Sequence, residues 1–258
     1  MAKLLVKKQK KQYVKELGKQ VVISRERFYF VEDESKDFHC TEGVISKKDL
    51  KKKPGTRIKT NKEKEFILLE PSFIDLYKRI KRIPQIVPRK DIGFLIAETG
   101  INKQSKVVDA GSGSGGVCLF LANLVKEFIS YEIDKEYIKV VKDNIKFLGL
   151  KNLKIKNKNI YQGIDETEVD LIVLDVPEPW NAIRSAEKAL KIGGFLVSYS
   201  PSVPQVMDFV NTISKSDSFI VLKTVEIIER NWEVSERKVR PVSRGIGHSG
   251  FMTFVRKI

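Results

Sequence analysis

A single carboxylate, Asp175, stands directly after an uninterrupted apolar run at residues 169–174. Ligands of open α/β sheets bind beyond the carboxyl ends of the strands, so an acidic side chain in this position is a candidate for chemistry. Pro177 and Pro179 stop the chain from continuing as a ladder strand or a helix and lead it away from the sheet. An ordinary β-to-α turn, with the aspartate as a helix cap, is the alternative explanation of the same residues.

A glycine-rich segment upstream is the second candidate. Residues 110–116 read AGSGSGG and lie between a short apolar strand ending at Asp109 and an apolar helical run at 117–125. Gly111, Gly113 and Gly116 fit the G-x-G-x-x-G template, in which the backbone turns sharply beneath a helix N-terminus and approaches a ligand closely. The same spacing also suits a flexible loop, so the glycines alone leave the nature of the site open.

Glu132 ends the next predicted strand, residues 128–131. It lies about 20 positions after Gly111, where an acidic side chain can accept hydrogen bonds from ribose hydroxyls. Together the loop and Glu132 favour a cofactor that contains adenosine. NAD and S-adenosylmethionine both contain it, so these two features do not distinguish them.

The combination resembles the class I S-adenosylmethionine-dependent methyltransferases, with residues 109–113 beneath the methionine part of the cofactor and Glu132 on its ribose. The segments DVPEPW at 175–180, GGFLVSYSP at 193–201 and GHSGF at 247–251 narrow this to the tRNA adenine-N1 methyltransferase family. The resemblance covers essentially the whole chain, most strongly from Gln85 onwards. It implies that the protein transfers a methyl group from S-adenosylmethionine to N1 of an adenine in the T-loop region of tRNA.

The family resemblance also assigns site residues. It makes Asp175 the catalytic aspartate, which would accept a hydrogen bond from the exocyclic amine of the target adenine and stabilise the cationic ring. Tyr199 and His248 match family positions around the substrate pocket, where a structural role is equally open. Trp180 fits either packing or stacking on RNA. The implied cofactor-binding residues are Gln85, Asp109, Gly111, Ser112, Gly113, Ser114, Gly115, Glu132, Asn159, Ile160 and Asp175.

Two positions depart from the family pattern. Before Arg89-Lys90-Asp91 the chain has Pro88, without the aromatic or histidine residue that the family usually carries near the target base. Asn159 replaces an aspartate that commonly holds the adenine amine of the cofactor. The asparagine carbonyl could still accept that hydrogen bond, without the charge.

Positive charge is concentrated in the N-terminal third of the chain. The net charge of the 258 residues is +15: residues 1–83 carry 23 Lys and Arg against 12 Asp and Glu, and residues 84–258 carry 25 against 21. This asymmetry favours an RNA-binding surface near the N-terminus, although a solvated face is the alternative. The basic residues around the Pro54-Gly55 turn are Lys47, Lys48, Lys51, Lys52, Lys53, Arg57, Lys59, Lys62 and Lys64.

Periodicity predicts three parts. Residues 1–70 form a small, basic, RNA-binding β domain with strands at 21–24, 27–31, 43–46 and 66–70. Residues 71–83 form a linker helix, capped by Ser72 and reaching about Arg82. Residues 84–258 form the cofactor-binding catalytic domain, in which alternating strands and helices to about residue 218 imply a Rossmann-like, mostly parallel sheet. The last β segments, 220–232 and 249–257, flank a polar loop at 233–248 without a helix and should pair antiparallel.

Other sequence features limit where the protein can act and what it can bind. The two cysteines are far apart and form neither a disulfide framework nor a zinc site. The charged N-terminus resembles neither a signal peptide nor a membrane span, so we expect a cytoplasmic protein with no membrane or DNA partner. A base within folded tRNA must be extruded before it can react, and backbone contacts would offset that cost. The family resemblance further implies a homotetramer.

Two other functions fit parts of the sequence. A methyltransferase of related fold that acts on a small molecule, as in corrinoid biosynthesis, would explain the glycine loop but not the basic N-terminal third. A non-catalytic RNA-binding protein with a vestigial cofactor fold would accommodate Pro88 and Asn159. Tight binding to bulk tRNA would argue against the small-molecule methyltransferase. Transfer of labelled methyl into RNA would exclude the non-catalytic protein.

Overall fold

The computed structural model describes residues 2–83, 85–235, 238–243, 245 and 247–258. The chain forms two compact units, Met1–Lys78 and Arg79–Ile258. The boundaries predicted from sequence, at residues 70 and 84, lie on either side of this division, and residue 84 is outside the described residues.

The N-terminal unit is a small β structure, as predicted. Four antiparallel strands form its sheet in the order β4-β1-β8-β7, and two separate hairpins pair β2 with β3 and β5 with β6. Alternate side chains of β8 are buried, and Phe66 and Leu68 pack with Leu5 and Ile58 in the core of this unit. The strands are β1 Lys3–Lys7, β2 Lys10–Val14, β3 Lys19–Ser24, β4 Arg27–Val31, β5 Phe38–Cys40, β6 Gly43–Ile45, β7 Arg57–Lys59 and β8 Glu65–Leu69.

Two short helices complete this unit, α1 Lys47–Leu50 and α2 Phe73–Tyr77. Ser72 caps α2 as predicted, in a capping box with Asp75. The predicted extension of the helix to about residue 82 is wrong. The backbone of Lys81 instead exchanges two hydrogen bonds, each 2.9 Å long, with the side-chain amide of Asn144, so it is satisfied without further helical turns.

The C-terminal unit is built on a seven-stranded sheet in the order β11-β10-β9-β12-β13-β17-β14. The pairs among β9 to β13 are parallel, whereas β17 is antiparallel to both of its neighbours. This arrangement confirms the predicted Rossmann-like sheet with an antiparallel C-terminal pair. Its strands are β9 Lys106–Ala110, β10 Glu127–Glu132, β11 Leu153–Asn157, β12 Val169–Leu174, β13 Leu190–Ser200, β14 Phe219–Glu226 and β17 Phe251–Lys257.

Crossover helices connect the parallel strands. Asp134 caps α5 by accepting from the backbone N–H groups of Glu136 and Tyr137, and Gly149 ends that helix in the left-handed conformation. The helices are α3 Arg89–Thr99, α4 Gly116–Ala122, α5 Lys135–Leu148, α6 Ile183–Ala189 and α7 Val203–Ile213, with short 3₁₀ helices at Ile160–Gln162 and Pro179–Ala182. No helix of the described residues is long and apolar enough to cross a membrane.

Two details of the sequence prediction are corrected in this unit. The predicted strand at 220–232 ends at Glu226, and the predicted loop at 233–248 contains a second hairpin, β15 Trp232–Ser235 paired with β16 Lys238–Pro241. Residues 236, 237, 244 and 246 of that loop lie outside the described residues. Trp180 lies in the 3₁₀ helix after β12 and packs against the sheet core. Of the two roles considered for this residue, packing and stacking on RNA, its position in the structure fits packing.

Candidate functional site

A cavity of about 420 Å³ opens at the carboxyl ends of β9, β10 and β12. This is the edge at which doubly wound sheets bind ligands, and the volume lies within the usual range of small-molecule sites. Of the predicted cofactor residues, those that line it are Gln85, Gly111, Gly113, Glu132, Asn159, Ile160 and Asp175. Asp109, Ser112, Ser114 and Gly115 lie outside the cavity wall.

Gly111 follows β9 and contacts the ends of the two neighbouring strands, β10 and β12. Its φ is +85°, and a Cβ built on it would lie 2.0 Å from the backbone oxygen of Asp175. Its N–H donates to the carbonyl of Tyr131 at 3.0 Å, while the N–H of Asp175 donates to that of Ala110 at 3.0 Å. Any larger residue at position 111 would push the loop away from Asp175, so the glycine is required by close backbone packing.

Glu132 holds the glycine loop to the end of β10. One carboxylate oxygen accepts from Gly113 N–H at 3.0 Å and from the Ser112 hydroxyl at 3.3 Å. The other accepts from the backbone N–H groups of Ile133 at 2.8 Å and Asp134 at 3.0 Å. The side chain therefore borders the cavity and also anchors the loop, so it has a structural task in the absence of any ligand.

Two further carboxyl groups give the site an acidic character. Burial, followed by the charge of Glu132, raises the pKa of Asp175 to about 7. Burial also raises the pKa of Asp109 to about 8, with smaller contributions from Asp175 and Glu132. Asp109 lies behind the loop, and its Oδ1 is a buried oxygen without a hydrogen-bond partner among the described residues. The cavity wall itself contains three carboxyl groups, those of Glu132, Asp175 and Glu178, and carboxylates favour a ligand that carries positive charge.

Another part of the cavity wall comes from the segment after β11, where Asn159 and Ile160 lie. The Asn159 side-chain oxygen accepts from the N–H of Tyr161 at 2.9 Å, so it caps the 3₁₀ helix that follows. The Tyr161 hydroxyl in turn accepts from the N–H of Glu178 at 3.1 Å, which joins this wall to the segment after Asp175. Tyr161 and Glu178 both line the cavity, although no motif in the sequence pointed to them.

Other cavity residues were also missed. Tyr137 lies in the first turn of α5, and the helix-start signal at Asp134 could have placed it near Glu132. Tyr131 precedes Glu132 in β10, and its hydroxyl donates to Glu166 at 2.6 Å. Neither tyrosine belongs to a recognisable motif, so only the fold brings them to the site.

Tyr199 and His248 do not line this cavity. The Tyr199 side chain is buried, and its hydroxyl donates to Asp91 Oδ2 at 3.3 Å. Burial raises the pKa of Tyr199 strongly, and the charges of Asp91 and Asp175 add to this effect. His248 is exposed and contacts Glu226 and Pro201. The structure therefore brings Asp175, but not the other two predicted catalytic residues, to the cavity wall.

Similarity to known proteins covers most of the chain. The model of the tRNA methyltransferase complex GCD14 subunit family matches residues 76–247. The tRNA (adenine(57)-N(1)/adenine(58)-N(1))-methyltransferase TrmI of Methanocaldococcus jannaschii is 36% identical, with 92% of this chain and 94% of that protein covered. The tRNA (adenine(58)-N(1))-methyltransferase TrmI of Thermus thermophilus is 28% identical over 85% of this chain and 88% of its own length.

Solved structures agree on the fold. A SAM-dependent O-methyltransferase from Thermotoga maritima has a TM-score of 0.80 at 30% identity, covering 99% of this chain and 92% of that one. The tRNA (m1A58) methyltransferase TrmI of Aquifex aeolicus has a TM-score of 0.78 at 21% identity, covering 100% and 97%. Because the family model spans most of the sequence and a relative above 30% identity aligns over nearly all of it, the chain belongs to the GCD14 family of tRNA methyltransferases.

Proposed function

We propose that the protein transfers a methyl group from S-adenosylmethionine to N1 of an adenine in the T-loop region of tRNA. One observation carries the proposal. The Asp175 carboxyl group is held at the end of β12, beside the glycine loop, in an acidic cavity that suits a cationic cofactor. The relative from M. jannaschii, at 36% identity, is named for the same reaction.

The residues around the cavity fit this cofactor. The backbone of Gly111 and Gly113 would pass beneath its methionine part, Glu132 would meet the ribose, and Asn159 and Ile160 would border the adenine. When bound, the cofactor supplies an electrophilic methyl group on a sulfonium cation. The surrounding carboxyl groups offset the positive charge of such a ligand, since opposite charges favour one another in a desolvated site.

Asp175 would act by electrostatics and not by removing a proton. N1 of the substrate adenine already carries a lone pair, which forms the new bond to the methyl carbon as the carbon–sulfur bond breaks and its electron pair stays on sulfur. Positive charge therefore appears on the adenine ring as the reaction proceeds. An ionised Asp175 would accept a hydrogen bond from the exocyclic amine and stabilise that charge, an effect worth roughly 3 kcal/mol in a preorganised site.

We further propose that the N-terminal unit binds the tRNA backbone. A groove of about 760 Å³ in this unit has more basic than acidic residues in its wall. Its basic lining residues are Lys7, Lys8, Lys10, Arg25, Arg27, Arg57 and Lys64. Of the basic turn region emphasised by the sequence, only Arg57 and Lys64 belong to the groove, while Lys52 and Lys59 form ion pairs with Asp49 and Glu63. A basic concave surface is the form expected of a site for phosphates.

A homotetramer is also proposed, and the β15–β16 hairpin supports assembly with further copies. Trp232 and Val234 lie on one face with Val239, and all three side chains are more than half exposed. On the other face, Glu233 forms ion pairs with two basic residues of β16. An isolated two-stranded hairpin is only marginally stable, so an apolar face of this kind is expected to be covered.

With tRNA as its substrate, we propose that the enzyme acts in the cytoplasm.

Nucleoside mass spectrometry of tRNA incubated with enzyme and cofactor, followed by mapping of the modified position, tests the proposed function. We expect 1-methyladenosine from wild type and strongly reduced formation by Asp175→Ala. Asp208→Ala, which removes an exposed carboxylate from α7, is the matched control. Methylation of a different base or atom, or transfer to a small molecule only, would contradict the assignment.

A further inference from the structure

The loop that precedes β17 lies directly on Tyr199. Strand β17 begins at Phe251, between Ser200 at the end of β13 and Glu226 at the end of β14. A Cβ built on Gly250 would lie 2.6 Å from the Tyr199 ring, so only a glycine allows this contact. The loop thus crosses the same sheet edge as the cofactor cavity and covers a predicted catalytic residue.

His248 connects this loop to both neighbouring strands. Its Nδ1 lies 2.6 Å from Glu226 Oε1, at the end of β14, and its Nε2 lies 2.9 Å from the carbonyl oxygen of Pro201, just beyond β13. A carboxylate and a carbonyl both accept hydrogen bonds. Both ring nitrogens must therefore donate, and only the protonated imidazolium has two N–H groups.

A second set of contacts joins the next residue of the loop, Ser249, to the residue that follows Glu226, which is Ile227. The Lys90 ammonium donates to Ser249 Oγ at 2.6 Å, to the Ile227 carbonyl at 2.7 Å and to Asp91 at 2.8 Å. Asp91 is fully buried, and it also accepts from the hydroxyls of Tyr199 and Ser249. The His248 ring thus links the loop to Glu226, and the Lys90 ammonium links Ser249 to Ile227.

We propose that His248 is a positioning residue that works as an imidazolium. It holds the loop at residues 247–250 across the ends of β13 and β14, and thereby keeps Tyr199 in place at the sheet edge where the cofactor cavity opens. It is not a general base, because both ring nitrogens are occupied as donors. The catalytic consequence rests on the proposed function, whereas the charge state of His248 does not.

The charged groups around His248 determine when the contacts hold. Glu226 on β14 is the main group, and its hydrogen bond raises the pKa of His248, with a further contribution from the Pro201 carbonyl. Lys90 on α3 opposes this shift, although Asp91 neutralises part of its charge. Once the pH exceeds this raised pKa, the ring loses one N–H and one of its two contacts. His248 therefore holds the loop by both contacts below this pKa and by only one above it.

NMR of the cofactor-free protein tests the charge state directly. The chain has two histidines, so His39→Gln leaves His248 as the only imidazole. We expect both ring nitrogens to be protonated at about pH 6.5, with a pKa above the ordinary value of about 6.5, and we expect Glu226→Gln to lower that pKa. A neutral imidazole at about pH 6, or a pKa that Glu226→Gln leaves unchanged, would overturn the proposal.

Single-turnover methylation from about pH 6 to about pH 9 tests the consequence. We expect wild type to lose rate as His248 deprotonates, His248→Gln to be roughly tenfold slower than wild type below that pKa and to lack the decline, and His248→Arg to keep the wild-type rate without the decline at high pH. His39→Gln is the control. A His248→Gln rate equal to wild type would overturn the positioning role. Absence of RNA methylation by wild type would instead refute the proposed function, and it would leave the NMR result intact.

Discussion

The cofactor cavity and the N-terminal groove are built in opposite ways. In the cavity, Glu132 is buried, Asp175 is half-buried and backbone segments touch, as where Gly111 meets the carbonyl of Asp175. In the groove, most of the lysines and arginines are exposed and surround an open space, and some of them are already paired with glutamates, as Arg57 is with Glu65. One site depends on the position of individual atoms, whereas the other depends on the sum of many charges.

This difference sets the expected effect of substitutions. Buried and preorganised groups act at short range in a medium of low effective dielectric constant, so the loss of one has a large effect. Exposed charges are screened by salt and can substitute for one another, so a single loss has a small effect. Substitutions at the two sites should therefore differ widely in the size of their effects.

The largest effect is expected at Asp175. Asp175→Ala should lower single-turnover methylation roughly 100-fold or more, about 2.7 kcal/mol at the barrier, with little change in the apparent constants for tRNA and cofactor. Asp175→Asn keeps an acceptor without the charge, so a large remaining defect is expected. In wild type kcat/KM should rise with pH through about 7, because this ratio reports the ionisation of the free enzyme and the ionised form of Asp175 is the active one. A near wild-type rate for Asp175→Asn would show that charge at this strand end is unimportant.

The sequence was sufficient to predict the cavity's main wall because its residues have local causes. A glycine loop between a strand and a helix, and acidic residues at the ends of apolar strands, are local patterns. The family resemblance then chose a cofactor site over the ordinary turn and the flexible loop, and it alone pointed to Gln85, Asn159 and Ile160. The buried acidic residue Asp109 was predicted to bind cofactor, yet it lies behind the loop. Short spacing identifies the loop, but it does not reveal which of its side chains point inward.

Contacts between distant segments were not predictable. Lys90 meets Ile227 and Ser249 only after the whole sheet has formed, and no local pattern indicates these partners. The β15–β16 hairpin was likewise interpreted as a loop, because its strands are four residues each and its alternation is masked by charges on one face. The hydrophobic periodicity of a sequence cannot predict contacts between distant segments, and it cannot identify strands as short as four residues.

The next effect concerns stability and Asp109. Because burial raises its folded-state pKa from 3.8 to about 8, this group favours the folded state most below the unfolded pKa, and that stability is lost as pH rises towards about 8. Asp109→Asn removes this dependence. Between about pH 5 and about pH 8, chemical denaturation should show the variant gaining about 2 kcal/mol or more on wild type. A constant difference between the two proteins across that range would argue against a protonated, buried Asp109.

Glu132 should give a smaller effect in the same cavity. Glu132→Ala is expected to weaken S-adenosylmethionine binding about tenfold or more, because a charged hydrogen-bond partner is worth roughly 1.5 to 3 kcal/mol. The variant also loses the anchor of Gly113, so thermal unfolding must be measured alongside calorimetry. Exposed Glu136→Ala on α5 is a control for charge alone. Unchanged affinity in Glu132→Ala would refute its assignment to the ribose.

The smallest effects are expected in the groove. Lys8→Gln, Lys10→Gln and Arg25→Gln should each weaken tRNA binding only two- to threefold or so, while the triple variant should lower the slope of log affinity against log salt by about 3. Cofactor affinity should not change, since the groove lies in the other unit. Lys51→Gln, Lys53→Gln and Lys62→Gln together form the matched control, because they remove equal charge from exposed positions outside the groove. If both triple variants weaken binding equally, affinity follows net charge alone and the groove is not a defined RNA site. A loss confined to the first triple would show that even a site built from many charges depends on where they are placed.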